Sequence, residues 1–124
     1  MAIYKTRVFD RLTRKLGPTS DQLCKAIEEI EKGLFEADLG GGLIKKRIAR
    51  SGSGKSGGFR TLIATKLQGR YIFLYVFGKS DASNIDKDEE KALKALAAHF
   101  LALTESAIQK AVDADELIGV NGNA

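Results

Sequence analysis

Gly58-Phe59-Arg60-Thr61-Leu62-Ile63-Ala64-Thr65-Lys66, the link Leu67-Gln68-Gly69, and Arg70-Tyr71-Ile72-Phe73-Leu74-Tyr75-Val76-Phe77 decide the fold. The first segment puts Phe59, Thr61, Ile63 and Thr65 on one face and Arg60, Leu62, Ala64 and Lys66 on the other, the two-residue period of a strand. The second is aromatic and β-branched throughout, the composition of a central strand buried on both faces. So short a link predicts an antiparallel hairpin. Upstream, Leu43–Arg50 alternates imperfectly and predicts a third strand. It is separated from the hairpin by Ser51-Gly52-Ser53-Gly54-Lys55-Ser56-Gly57, a long flexible connection with one lysine at its tip.

Outward from these strands the pattern turns helical. Ile3, Tyr4, Thr6 and Val8 predict a short opening strand, and Phe9, Leu12 and Leu16 a short helix that Gly17-Pro18 ends. Thr19 and Gln22 form a capping box, each side chain satisfying an orphan amide at a helix start. Leu23, Ile27, Ile30 and Leu34 then recur as an amphipathic stripe, with Cys24 near it as a small semi-buried residue. Asp38-Leu39-Gly40-Gly41-Gly42 breaks that helix. Asp86 with Glu89 caps a second strong helix carrying Leu93, Leu96, Ala97 and Phe100. Thr104 caps a last short one, and Leu117–Val120 predicts a brief edge strand. There is no internal repeat. The expectation is a single α+β domain over residues 1–124, with helices packed on one face of a small, mostly antiparallel sheet and the basic strands available to a partner.

Composition excludes several classes. The longest unbroken apolar run, Tyr71–Phe77, is seven residues, against the roughly 20 a membrane helix needs. One cysteine and one histidine exclude a disulfide scaffold and a His/Cys zinc module. A small cytoplasmic protein with no membrane partner is expected.

Charge is segregated along the chain. Residues 26–38 hold one basic and five acidic residues. Residues 39–80 hold nine basic ones (Lys45, Lys46, Arg47, Arg50, Lys55, Arg60, Lys66, Arg70, Lys79) and no Asp or Glu. Solvated faces usually intersperse both signs, so this stretch points to a polyanion partner.

Gly52-x-Gly54-Lys55-Ser56 looks like the end of a phosphate-binding P-loop but lacks its other requirements. Ala49 stands where the motif needs glycine, and a strand rather than a helix follows the serine. Lys55 is therefore read as meeting a phosphate that belongs to a polymer. His99 sits mid-helix and reads as a surface or structural residue. No Ser/His/Asp or Cys/His arrangement is present, so chemistry on the basic sheet must run on Lys, Arg, Tyr and backbone groups.

Gly58-Phe59-Arg60-Thr61-Leu62, the basic strand before it, and Phe77-Gly78-Lys79 after it resemble the RelE/HigB toxins of bacterial toxin–antitoxin pairs. The Leu39–Ile48 segment, Asn84-Ile85 and Glu116-Leu117-Ile118 are closest to the HigB-like branch. The resemblance implies an endoribonuclease acting on mRNA, often in the ribosomal A site, that uses no metal or other cofactor and is silenced by a cognate antitoxin, expected to be of helix-turn-helix type. In such a reaction the RNA's own 2′-hydroxyl attacks the adjacent phosphodiester. That requires a base, cations on the phosphorane and an acid for the 5′-oxygen.

Arg60 matches the family's arginine after the glycine–aromatic pair, and Lys79 the lysine closing the next strand. With Lys55 they are the candidate catalytic residues; Lys45, Lys46, Arg47, Arg50 and Arg70 are the candidate RNA-binding ones. The chain departs from RelE in having Ser80 rather than arginine after Lys79, and no tyrosine in Asp81–Lys87. Tyr71 and Tyr75 are the alternative aromatics, and the acid and base stay unassigned. Two other functions fit the same charge pattern: a non-catalytic RNA- or ribosome-binding module, and a ParE-type toxin acting on a topoisomerase.

Overall fold

The computed structural model describes residues 2–15, 17–49, 58–66, 69–78 and 86–120. Its elements are β1 (Ala2–Thr6), α1 (Arg7–Thr13), α2 (Ser20–Glu31), β2 (Ala37–Gly40), β3 (Leu43–Ile48), β4 (Phe59–Lys66), β5 (Arg70–Gly78), α3 (Lys87–Ala102), α4 (Glu105–Asp113) and β6 (Leu117–Gly119). The strands form one sheet in the order β2-β3-β4-β5-β1-β6. β2-β3, β3-β4, β4-β5 and β1-β6 pair antiparallel, and β1 runs parallel to β5. The α+β class, the mostly antiparallel sheet and the β4–β5 hairpin are as the sequence predicts.

One part of that expectation is corrected: the helices divide between the two faces of the sheet. Phe9 of α1 and Leu23, Ala26, Ile27 and Ile30 of α2 pack with Ile44, Ile63 and Phe73 on one side. Ala97, Phe100 and Leu101 of α3 and Ile108 and Ala111 of α4 pack with Leu43, Leu62, Ala64, Ile72 and Leu74 on the other. The cause is in β4 and β5, which carry apolar side chains on both faces and so need cover on both.

Local chemistry sets the element boundaries. The Thr19/Gln22 and Asp86/Glu89 capping boxes are both formed, and Thr104 caps α4 through the Ala107 amide. α1 starts earlier than its apolar pattern suggests, because Thr6 is its cap: the hydroxyl accepts from the Phe9 amide at 3.0 Å and donates to the Leu74 carbonyl at 3.2 Å. Leu74 is the extra residue of a bulge, since Leu62 pairs with Tyr75 and Ile63 with Phe73. Thr6 thus satisfies a carbonyl at the bulge while starting a helix. β2 is a strand the sequence reading did not predict. It turns into β3 through Gly40, Gly41 and Gly42, all at positive φ. At Gly42 a Cβ would also stand 2.7 Å from Leu101 of α3.

Two interactions make testable contributions. The Arg70 guanidinium donates to the Phe100 and Leu103 carbonyls at 2.9 and 2.8 Å and pairs with Glu105 at 3.1 Å. It closes the open C-terminal end of α3 and ties it to the start of α4. Arg70→Met should lower stability by about 2–3 kcal/mol, because those carbonyls lose their donor, read as a fall of roughly 10 °C in a thermal melt. Hydrogen bonding to Lys5 above all, at 2.8 Å, holds the Asp10 carboxyl below its ordinary range, aided by Arg14. A carboxylate with a depressed folded pKa stabilises above its unfolded pKa and loses that share as pH falls through the folded value. Asp10→Asn should therefore be less stable than wild type in urea at pH 7, with the gap closing as pH falls through the lowered folded value.

Candidate nucleic-acid interface

The β3–β4 register places Arg47 directly opposite Arg60, and Lys45 opposite Leu62. Across the next pair, Arg60 faces Phe77 and Leu62 faces Tyr75. Directly opposed residues project from the same side of a sheet. One side therefore carries Arg47, Arg60 and Phe77 in one row and Lys45, Leu62 and Tyr75 in the next. The Tyr75 and Phe77 rings lie 6.4 Å apart at a 38° tilt. Phe77 is buried in the core, so what this side offers a single-stranded nucleic acid is its cations for phosphates and the half-buried Tyr75 for a base.

Two arginines directly opposed, with Cβ atoms about 5 Å apart, repel unless an anion joins them. Glu36 supplies one. Arg60 Nη1 donates to Glu36 Oε2 at 2.9 Å, and the Glu36 amide donates to the Lys45 carbonyl at 2.9 Å, which fixes that residue at the head of β2. The pair is open to solvent, with Arg60 23% and Glu36 33% exposed. Such pairs contribute about 0–1 kcal/mol, little enough for a phosphate to exchange with the carboxylate. Arg47 is exposed, and its stem crosses Gly58. A Cβ on Gly58 would lie 3.1 Å from Arg47 Nε and 3.1 Å from the Ile48 carbonyl.

The remaining candidates are placed differently. Lys46 points to the α2 side, 8% exposed, where its amine meets Glu29 and the Leu34 carbonyl, both at 2.9 Å. It fastens β3 to the end of α2. Arg70 is the clamp on α3 and α4 described above. Lys55, Arg50 and Lys79 lie outside the described residues; Gly78, which precedes Lys79, is registered with Phe59, the neighbour of Arg60. Tyr71 is buried and donates to Glu31 at 3.1 Å. Burial first, and the Glu31 carboxylate second, push its phenol above the ordinary range. Tyr75 is half-buried on the basic face. His99 is exposed and packs edge-on against Phe100.

Glu36 and Gly58 escaped the sequence reading as site residues. The signal for Glu36 was present: the acidic block 26–38 directly precedes the acid-free stretch, and acids in it supply the partners of Lys46 and Arg60.

A sequence model of the family described as the RelE toxin of the RelE/RelB toxin–antitoxin system matches residues 1–120. No curated protein matches the chain. Gly58→Ala should keep the fold, lower the melting temperature by a few degrees and weaken RNA binding, because its methyl displaces the Arg47 stem. Circular dichroism and a filter-binding titration check both effects.

Proposed function

Because the chain belongs to the RelE toxin family of toxin–antitoxin systems, we propose that it is a metal-independent endoribonuclease of the HigB-like kind. It cleaves mRNA in the ribosomal A site, halts translation in the cytoplasm, and is silenced by a cognate antitoxin of helix-turn-helix type. The observation that carries this reading is the cross-strand pair Arg47–Arg60, two opposed cations beside Tyr75 and Phe77 on one face.

In the proposed reaction a base removes the 2′-hydroxyl proton, and the O2′–P bond forms as the P–O5′ bond breaks. A proton goes to the departing 5′-oxygen. The products are a 2′,3′-cyclic phosphate and a 5′-hydroxyl. Arg60 releases Glu36 and turns its planar fork to the non-bridging oxygens, where charge builds in the phosphorane. Arg47 and Lys45 hold flanking phosphates, with Arg50 and Lys55 continuing the basic track in sequence. Lys79 follows β5 and serves as a further cation or as a proton carrier. Lys46 supports the face from behind by fixing β3, and Arg70, at the far end of the same side, braces β5 against α3 and α4.

The test is induced expression in a bacterial host with new mRNA 5′ ends mapped. Wild type should arrest growth and produce cut messages. Arg60→Ala/Lys79→Ala, folded by circular dichroism, should reduce cutting by about 10²-fold or more. Growth arrest with intact messages would discard cleavage in favour of RNA binding alone, or of a topoisomerase target if DNA damage accompanies it.

A further inference from the structure

An apolar groove of about 440 Å³ lies between the start of α1 and α3, lined by Thr6, Val8, Leu74, Leu93, Leu96 and Phe100. Val8 is 42% and Leu96 36% exposed, and Leu12, one helical turn beyond Val8, is 49% exposed. Contiguous exposed apolar surface of this kind marks interaction sites. Val8 and Leu12 form one row along α1; Arg7 and Arg11 form the row beside it. Both arginines are exposed, and neither makes an ion pair among the described residues. The nearest acid on α1, Asp10, is taken by Lys5 and Arg14. Arg7, Glu116 and His99 complete the lining, and the Glu116 carbonyl accepts from the Arg7 amide at 3.3 Å.

We propose that this groove receives the cognate antitoxin as an amphipathic helix. Its apolar stripe fills the groove, and the acidic residues flanking that stripe face Arg7 and Arg11. Three features choose this occupant. The lining is apolar, which suits a helix face and not a phosphate backbone. The charge on α1 beside the groove left unpaired among the described residues, Arg7 and Arg11, outweighs the single acid of the lining, Glu116, so the complementary flank is acidic on balance. In a symmetric pairing, a second copy of this chain would bring its own arginine row against the same row. A second exposed apolar spot, Leu34 and Phe35, sits beside Glu31 and Asp38. Its charge has the opposite sign, which makes it an internal control. The inference rests on toxin–antitoxin membership and not on the RNA-cleavage reading.

The experiment titrates full-length antitoxin into the full-length toxin and into three variants, each checked by circular dichroism and for RNA binding. Val8→Asp/Leu96→Asp should weaken the complex by about 100-fold or more. Arg7→Glu/Arg11→Glu should weaken it roughly tenfold at low salt, with the difference shrinking as salt rises. Phe35→Asp should stay within about twofold of wild type. Wild-type affinity in Val8→Asp/Leu96→Asp, or a loss in Phe35→Asp in its place, would overturn the assignment. So would a toxin dimer that Val8→Asp/Leu96→Asp dissociates, since the groove would then belong to a second copy. If wild type fails to cut RNA while the titrations behave as expected, the docking site stands and the nuclease reading falls.

Discussion

Burial of β4 and β5 on both faces constrains every charge in the middle of this chain. Phe59, Leu62, Ile63, Ala64, Tyr71, Ile72, Phe73 and Leu74 are all 8% exposed or less, and helices cover them from either side. A cation in such a hairpin must find a partner or lie where the cover ends. Arg70 at the start of β5 takes the first course and closes a helix end. Lys46 on β3 does the same against α2. Arg47 and Arg60 lie toward the Ile48–Phe59 end of their strands, with exposed or half-exposed side chains. The same apolar packing that stabilises the sheet therefore sorts its cations into internal fasteners and a surface pair.

That sorting explains the charge run along the sequence. Residues 39–80 contain no acid, yet among the described residues Lys46 pairs with Glu29, Arg60 with Glu36 and Arg70 with Glu105. Every one of these acids comes from outside the stretch. Lys46 and Arg70 are largely buried and their hydrogen bonds include main-chain carbonyls, so displacing them would leave buried groups unpaired. The Arg60–Glu36 pair is open to water and has no such anchor among the described residues. Of the three, it alone can exchange its carboxylate for a phosphate at little cost.

Much of the fold was legible because its signals are local. Capping boxes at Thr19 and Asp86 act within four residues, and the two-residue alternation in Phe59–Lys66 is read directly as a strand. What escaped is non-local. β2 is four residues ending in glycine, and it exists because β3 offers it an edge. The parallel pairing of β1 with β5 joins segments some 70 positions apart in sequence, and nothing in either announces it. Cover on both faces was implicit in a β5 that is apolar on both sides, but which helix goes to which face is decided by packing. At the candidate site, residue types were legible and roles were not. Arg47 and Arg60 as a pair need the strand register, and the internal duties of Lys46 and Arg70 need their distant partners.

The central claim is that the sheet's cations divide into a surface group that meets RNA phosphates and an internal group that does not. The salt dependence of RNA binding tests it most directly, because each phosphate that the protein neutralises adds about one to the slope of log K against log salt. Arg47→Ala and Arg60→Ala should each reduce the slope by about one, while Arg70→Met, measured below its melting transition, leaves it unchanged. A flat salt response in wild type, or a slope lowered by Arg70→Met and untouched by Arg60→Ala, would contradict that division.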